Sequence, residues 1–439
     1  MITYIMMICI CMLLLWISVI FIHNSIISPA NLVILSISIG LVFAAIGVSS
    51  WNPISSLSMR VSIILIVGLI SWIVGSLFIK VTTARQRVTA NRIEKWKLYY
   101  AENRKILAMA IVSACCSILW YIAVAKSVGT FSPSEITSAF KIPNNNIETN
   151  LSSMMRAYCM ASCSLACAYI AIKSRKKMNL ISLIYGIILF VSGAIPPAIH
   201  ALRTDLFHII AGLIVGIIFL RQLHNYNRNI LKKIFIIVVL LIALPVIVQC
   251  FYGLVAVMNR SNSNGIDNPW QYFAFYLGSG IPGLSIWLQS WSSNGVGKFE
   301  QLANSLQVLL DNIGVIDGHG GSAAEQWLYI DGPANVGNNV NLTTIFGPAY
   351  HDFGIIGVVL VALIQSIIIS YIFEKANTCY NELAFVCYTS LCYLTIEAMR
   401  DDFFSYWLGT MGISTLLLLI LQYLILIHNV TAVSTEFDE

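Results

Sequence analysis

The sequence predicts an all-α, polytopic integral membrane protein with about 11 (roughly 10–12) transmembrane helices and one large outer loop. The chain has 439 residues, of which 58% are hydrophobic and 10% are charged, whereas an ordinary soluble domain carries roughly 25% charged residues. A soluble fold would lack the polar surface to cover so apolar a core. The apolar runs are long and continuous, which favours membrane helices over the short alternating strands of a barrel.

About eleven apolar runs approach the length that a helix needs to cross roughly 30 Å of hydrocarbon. They lie near residues 2–22, 31–50, 61–79, 106–125, 153–172, 179–195, 205–220, 234–256, 345–373, 383–399 and 406–428. The first run lacks a basic start and a small-residue cleavage site, so we expect it to remain as a span. The chain thus divides into helices 1–8 (residues 1–256), an outer loop (257–343), helices 9–11 (344–428) and a tail (429–439).

Basic clusters predict the orientation of these spans. They occupy residues 80–105, 173–178 and 221–233, which fall on one side of the membrane if the spans alternate. Lys and Arg accumulate in cytoplasmic loops, so this side is predicted to be cytoplasmic, as is the tail. The amino terminus and loop 257–343 are then predicted to lie outside. A loop of that length in a compact protein is expected to be functional and partly helical.

Motifs of soluble enzymes are missing from the sequence. The chain contains no Walker A motif, no HExxH pair and no CxxC pair, so ATP-driven transport and zinc hydrolysis gain no support. The sequence predicts neither a metal site nor a cofactor.

Arginines at the predicted outer face are candidate anion ligands. Arg156, Arg203 and Arg400 each lie near the start of a helix that enters the membrane from outside, where exposed amides and the helix dipole favour an anion. The planar guanidinium binds phosphate oxygens in pairs. We therefore predict a pyrophosphate site built from these residues together with Arg260, which begins the outer loop. The alternative is that each arginine reaches lipid headgroups or pairs with a nearby acid.

Carboxylates beside these arginines are candidate supporting residues. Asp205 follows Arg203 closely enough for a local ion pair. Glu397 and Asp401 would share a helix face with Arg400, and Asp402 follows directly. Here a structural ion pair and a functional site are both open.

The segment Tyr350-His351-Asp352 is a second concentration of polar chemistry, immediately before a long apolar span. A carboxylate or an imidazole there can take a proton from a hydroxyl group, which makes Asp352 and His351 candidate bases. Gly354 and Gly357 would allow another helix or a lipid to approach the backbone closely. The alternative is a capping and hinge segment at the membrane interface.

Four stretches of the chain resemble those of one enzyme family. They are residues 341–357, which include Asp352-Phe-Gly354; Arg203-Thr-Asp-Leu206; the aromatic run 270–278, after Arg260; and Arg400-Asp-Asp-Phe-Phe404. In these stretches and in topology the chain resembles bacterial oligosaccharide repeat-unit polymerases, the Wzy-type O-antigen polymerases. Residues 1–150 match only in hydropathy.

The resemblance implies a function for the candidate residues. Such enzymes transfer a growing glycan from undecaprenyl pyrophosphate to the next lipid-linked unit at the periplasmic face of the inner membrane, without a metal. Their architecture is similar to that of lipid-using GT-C-like glycosyltransferases. Arg203, Arg260 and Arg400 would hold the pyrophosphate, and Asp352 or His351 would activate the acceptor hydroxyl, positioned by Tyr350.

The expected partners are the undecaprenyl-pyrophosphate-linked oligosaccharide, the bilayer and a protein that regulates chain length, with no nucleic acid. Loop 257–343 departs from the family pattern, because it is net acidic, with two basic and six acidic residues. Three alternatives stay open: an O-antigen ligase, which shares the topology; a flippase or other secondary transporter, which typically shows repeats and charges near mid-membrane; and a structural or receptor role of the outer loop.

Overall fold

The computed structural model is mostly helical in the residues that it describes. These are residues 2–21, 25–50, 57–83, 96–140, 147–174, 180–200, 203–224, 269–290, 328–331, 337–340, 343–378, 380–402 and 411–428. The predicted span at 234–256 and the tail at 429–439 lie outside them, as does most of loop 257–343.

The long helices follow the predicted apolar runs, and shorter helices lie between them. In chain order they are α1 (Ile2–Phe21), α2 (Pro29–Ser50), α3 (Met59–Thr83), α4 (Asn103–Val128), α5 (Pro133–Ala139), α6 (Asn150–Lys173), α7 (Leu180–Gly193), α8 (Ile195–Ile199), α9 (Arg203–His224), α10 (Pro269–Gly278), α11 (Gly280–Ser290), α12 (Gly347–Asn377), α13 (Glu382–Leu391), α14 (Tyr393–Ile396) and α15 (Met411–Ile427). Two 3₁₀ helices, Lys97–Tyr100 and Glu397–Met399, join this series. Helices α10 and α11 show that the described part of the predicted outer loop is partly helical.

Seven helical segments among the described residues are long and apolar enough to cross a membrane. They are α1, α2, α3, α4, α6, α12 and the segment Glu382–Met399. Three further predicted spans correspond to shorter apolar helices, at Leu180–Gly193, His208–Leu223 and Gly412–Ile427. The prediction of a mostly helical, multi-pass membrane protein is confirmed, while the number of about 11 spans and the outer placement of loop 257–343 stay predictions.

A short β-hairpin departs from the all-helical prediction. Strands β1 (Leu328–Asp331) and β2 (Gly337–Val340) pair antiparallel, with Leu328 opposite Val340. The sequence predicts turns across residues 331–341, because this stretch is rich in Gly, Asn, Pro and Asp. That expectation is wrong for Gly337–Val340, where pairing with β1 supplies partners for the backbone amides.

The chain divides into two compact units. Unit 1 comprises Met1–Leu77, Asn225–Ile367 and Leu394–Gly409, and unit 2 comprises Phe78–His224, Ile368–Tyr393 and Thr410–Glu439. Helices α3 and α12 each contribute residues to both units.

Unit 1 is packed through glycines at close backbone approaches. A Cβ atom on Gly278 of α10 would lie 2.6 Å from the Ala44 amide nitrogen of α2, and one on Gly280 of α11 would lie 2.2 Å from the Met399 carbonyl oxygen. Small residues allow such approaches between apolar helices. They bring α10 against α2 and α11 against the segment that carries Arg400.

Unit 2 is organised around α6. Thr149 and Ser152 form a reciprocal capping box at its start, which satisfies amides that the first turn leaves without helical partners. Cys159, Cys163 and Cys167 are buried along it, and the Cys163 thiol lies 3.2 Å from the Phe190 carbonyl oxygen of α7. The cysteines therefore serve as small packing residues, as their spacing of four residues suggests.

Candidate functional site

The segment Tyr350-His351-Asp352 lies on a short helical stretch that ends at a break inside α12. Gly354 has φ 62° and ψ −149°, a backbone conformation that only glycine adopts readily. The break separates this stretch from the long apolar part of α12. The motif Asp352-Phe-Gly354 thus needs glycine at its last position, because the backbone turns there, directly after the three polar residues.

Replacing Gly354 with asparagine is expected to destabilise the protein by about 1–3 kcal/mol, because no side chain fits that backbone conformation without strain. The measurement is the thermal unfolding of purified protein in detergent. Gly129, at the end of α4 with φ 81° and ψ 13°, is the matched control. Asparagine tolerates that left-handed conformation, so Gly129→Asn should cost clearly less. Equal losses at the two positions would contradict the strain at Gly354.

His351 and Asp352 form a buried pair. The His351 Nδ1 atom lies 2.8 Å from Asp352 Oδ1, and the two residues are 4% and 1% exposed. An ionised carboxylate can only accept in such a pair, and Nδ1–H is then the donor. The Trp287 ring stacks on the imidazole at 4.8 Å between centroids and 13° between planes. A carboxylate that holds Nδ1–H leaves Nε2 as the basic nitrogen.

Tyr350 binds a residue that the sequence prediction missed. Its hydroxyl oxygen accepts a hydrogen bond of 2.8 Å from Arg60 Nε, and the guanidinium carbon lies 5.2 Å from the ring centroid. Arg60 is exposed in the first turn of α3. In the sequence, Arg60 could have been identified by its position among the basic residues at the predicted outer face.

Arg400 is buried in unit 1 between an acid and an aromatic ring. Its Nη1 atom donates to Glu397 Oε2 at 2.6 Å, and its guanidinium carbon lies 4.0 Å above the Tyr276 ring centroid. The structural ion pair expected from the shared helix face is therefore present. The pyrophosphate-binding role of Arg400 stays a prediction.

Asp401 and Asp402 are also buried beside Arg400. The Asp402 amide donates to Asp401 Oδ1 at 2.9 Å, and Gln365 Nε2 donates to Asp402 Oδ1 at 2.9 Å. Burial raises the pKa of Asp401 to about 8, and the neighbouring charges of Asp402 and Glu397 act in the same direction, against the hydrogen bond from the Asp402 amide and the charge of Arg400. Asp401 is therefore largely protonated at neutral pH.

The raised pKa of Asp401 predicts a pH dependence of stability. Its ordinary value is 3.8, so the folded protein binds the proton more tightly than the unfolded chain does. The contribution to stability is then fully present below about pH 4 and is lost as the pH rises towards 8. Asp401→Asn should flatten this decline in thermal unfolding curves recorded from pH 4 to 8. Glu135→Gln, at an exposed position, is the control; an unchanged slope in Asp401→Asn would contradict the assignment.

Three of the four stretches that carry the family resemblance meet in unit 1. The Thr344 amide donates to the Arg400 carbonyl oxygen and the Ile345 amide to the Ala398 carbonyl oxygen, both at 2.8 Å. The aromatic run contributes Tyr276, whose ring faces Arg400. Residues distant in the sequence are thus joined into one candidate site by backbone pairing and by ring contact.

Arg156 lies in unit 2 and is paired with a residue that the sequence prediction missed. It donates to both carboxylate oxygens of Glu148, from Nη2 to Oε2 at 2.8 Å and from Nε to Oε1 at 3.0 Å. Glu148 also accepts from Trp120 Nε1 at 2.6 Å and from Ser153 Oγ at 3.2 Å. The geometry favours the alternative that Arg156 pairs with a nearby acid, and its pyrophosphate-binding role stays a prediction.

His200 and Asp205 complete this cluster in unit 2. Arg156 Nη1 lies 3.3 Å from His200 Nδ1, and Asp205 Oδ2 lies 3.9 Å from each of these two nitrogen atoms. His200 was visible in the sequence, directly after two prolines and an apolar pair, and Glu148 stands eight positions before Arg156.

The proposed four-arginine site is only partly described. Arg203 begins α9, but its side chain lies outside the described residues, as does Arg260 entirely. Arg156 and Arg400 belong to different units. A single pyrophosphate site formed by all four stays a prediction.

Comparisons with known proteins identify no relative. No family model matches the chain, and neither a curated protein nor a solved structure matches it. Within the described part of the chain, no group of three or more His, Cys, Asp or Glu residues could hold a metal ion. The residues of unit 1 are therefore what points to a function.

Proposed function

We propose that the protein is a metal-independent glycosyltransferase that polymerises undecaprenyl-pyrophosphate-linked oligosaccharide repeat units into O-antigen or a related surface polysaccharide. It would act at the periplasmic face of the bacterial inner membrane. One observation carries the proposal: the stretches that contain Asp352, Arg400 and Tyr276 meet in one unit. Helices that can cross a membrane precede and follow these stretches in the sequence. A lipid-linked substrate requires an enzyme that is embedded in the membrane.

In this mechanism His351 is the general base and Asp352 orients it. The acceptor hydroxyl gives its proton to His351 Nε2 while its oxygen attacks the anomeric carbon of the donor. The bond from that carbon to the pyrophosphate oxygen breaks, and undecaprenyl pyrophosphate leaves with the bonding electrons. The donor glycan is thereby joined to the acceptor sugar, and one proton is released later to solvent.

The leaving pyrophosphate needs positive charge as the bond breaks. Arg400 is held at the site by Glu397 and Tyr276. The family resemblance adds Arg203 and Arg260. Three buried acids support the arginine segment through hydrogen bonds: Glu397 accepts from Arg400, Asp401 from the Asp402 amide, and Asp402 from Gln365.

The proposed topology has about 11 spans with residues 257–343 in the periplasm. Contacts within each unit join residues that the alternating topology assigns to one side. In unit 1, Arg60 contacts Tyr350 at the predicted outer side. In unit 2, the Glu382 carboxylate accepts from the Lys97 and Leu98 amides at the predicted cytoplasmic side. These contacts support the alternation of the spans. The expected partners are the bilayer and a chain-length regulator, and nucleic acid is not expected.

A deletion strain complemented with this gene tests the proposal, with the surface polysaccharide separated on a gel. We expect the deletion strain to accumulate single lipid-linked repeat units and the complemented strain to recover long polymer. Long chains that form normally but stay unattached to the lipid A core would identify a ligase instead. Repeat units retained on the cytoplasmic side would identify a flippase, and either result would overturn the polymerase.

A further inference from the structure

The outer-face arginines of the described residues differ in how their charge is balanced. Arg156 is bonded to Glu148 at 2.8 Å and Arg400 to Glu397 at 2.6 Å. Arg60 instead donates from Nε to the neutral hydroxyl of Tyr350. No carboxylate in the described ranges lies within ion-pair distance of Arg60. A guanidinium without a carboxylate retains its full attraction for an added anion.

The guanidinium of Arg60 is nevertheless held in place. The hydrogen bond to Tyr350 and the contact of the guanidinium with the ring at 5.2 Å fix its plane. Nε is the bonded atom, so the terminal nitrogens keep N–H groups that can donate to other acceptors. A planar pair of such donors matches two oxygens of a phosphate group.

We propose that Arg60 is a substrate-binding residue of the unit 1 site and takes phosphate oxygens of the lipid-linked pyrophosphate through its two terminal nitrogens. This inference rests on the proposed function, because that function supplies the pyrophosphate. Tyr350 is then a positioning residue, which acts through Arg60. Tyr350 adjoins His351 and Asp352 in the same short stretch before Gly354. This stretch therefore positions both Arg60, which binds the phosphate, and the base.

Binding of undecaprenyl pyrophosphate to the purified full-length protein in phosphatidylcholine nanodiscs tests this assignment. Arg60→Ala should weaken binding about tenfold or more, since a charged hydrogen-bonding partner is lost. Arg60→Lys should recover part of the affinity, because lysine keeps the charge but not the planar pair of donors. Tyr350→Phe keeps the ring and removes the acceptor oxygen, so it should weaken binding several-fold, less than Arg60→Ala.

Lys126→Ala is the matched control, because it removes one exposed charge from the predicted outer face and should leave binding unchanged. An equal loss in this variant would overturn the assignment, as would unchanged binding in Arg60→Ala.

Two further arms of the experiment separate the two possible sources of phosphate, the lipid-linked pyrophosphate and the bulk lipid headgroups. Inorganic pyrophosphate should compete for the site, whereas replacing half of the phosphatidylcholine with phosphatidylglycerol should not. Full competition by phosphatidylglycerol would show that Arg60 binds bulk headgroups and would also overturn the assignment.

The outcomes separate this inference from the proposed function. If the complemented strain forms polymer and Arg60→Ala binds normally, the inference fails and the polymerase stands. If undecaprenyl pyrophosphate binds in an Arg60-dependent way while the deletion strain still polymerises, the site stands and the polymerase fails. Thermal unfolding of each variant confirms that a loss of binding reflects a folded protein.

Discussion

Replacing His351 with alanine is expected to reduce polymer formation by about 10²–10⁴-fold, the usual contribution of a general base. The hydrogen bond of 2.8 Å to Asp352 and the stacked Trp287 ring hold the imidazole in one orientation. Asp352→Asn should lower the rate by a similar order, because an amide can donate to Nδ1 and so stabilise the wrong tautomer. The measurement is polymer formed from lipid-linked repeat units by purified protein in nanodiscs.

The base and its orienting carboxylate differ in a second measurement. Asp352→Asn should act only through His351, so the double variant His351→Ala/Asp352→Asn should be no slower than His351→Ala alone, whereas Asp352→Asn alone keeps an imidazole at the site. His428→Ala is the matched control, since its side chain is exposed outside unit 1. A His351→Ala variant that forms normal polymer would place the base elsewhere in the protein.

The fold was largely predictable because hydrophobic length alone identifies a membrane helix. Helix α3 of 25 residues and α6 of 24 residues could be located from their apolar runs. Helix α7, at 14 residues, shows the limit of that reasoning, because hydropathy does not reveal where hydrogen bonding of the backbone ends. The β-hairpin was missed because pairing with the nearby strand β1 overrode the turn preference of Gly337–Val340.

The candidate site was predictable in residue type but not in pairing. The i,i+3 spacing of Glu397 and Arg400 indicated their ion pair, which is present at 2.6 Å. The bond between Arg60 and Tyr350 joins residues that are 290 positions apart, and no local pattern contains that information. For the same reason the sequence favoured arginines at helix starts and could not show which of them a glutamate already neutralises.

Arg156→Met is expected to destabilise unit 2 by about 3–5 kcal/mol, the cost of removing one member of a buried ion pair. Arg156 and Glu148 are each only 11% exposed in their side chains. Without the arginine, the carboxyl groups of Glu148 and Asp205 lie buried close to each other. His200 is then the remaining side chain of the cluster that could carry a positive charge. The measurement is the apparent unfolding temperature in detergent, and Arg104→Met, at an exposed position, is the control.

The double variant Arg156→Met/Glu148→Gln distinguishes a structural pair from a phosphate ligand. Glutamine keeps an oxygen that can accept from Trp120 and Ser153, which now donate to Glu148, and removes the buried charge. The double variant should therefore be more stable than Arg156→Met alone, with a coupling between the two positions of about 0.5–3 kcal/mol. Additive losses would contradict the structural pair. A folded Arg156→Met protein that has lost only its affinity for undecaprenyl pyrophosphate would show that Arg156 serves the substrate rather than Glu148.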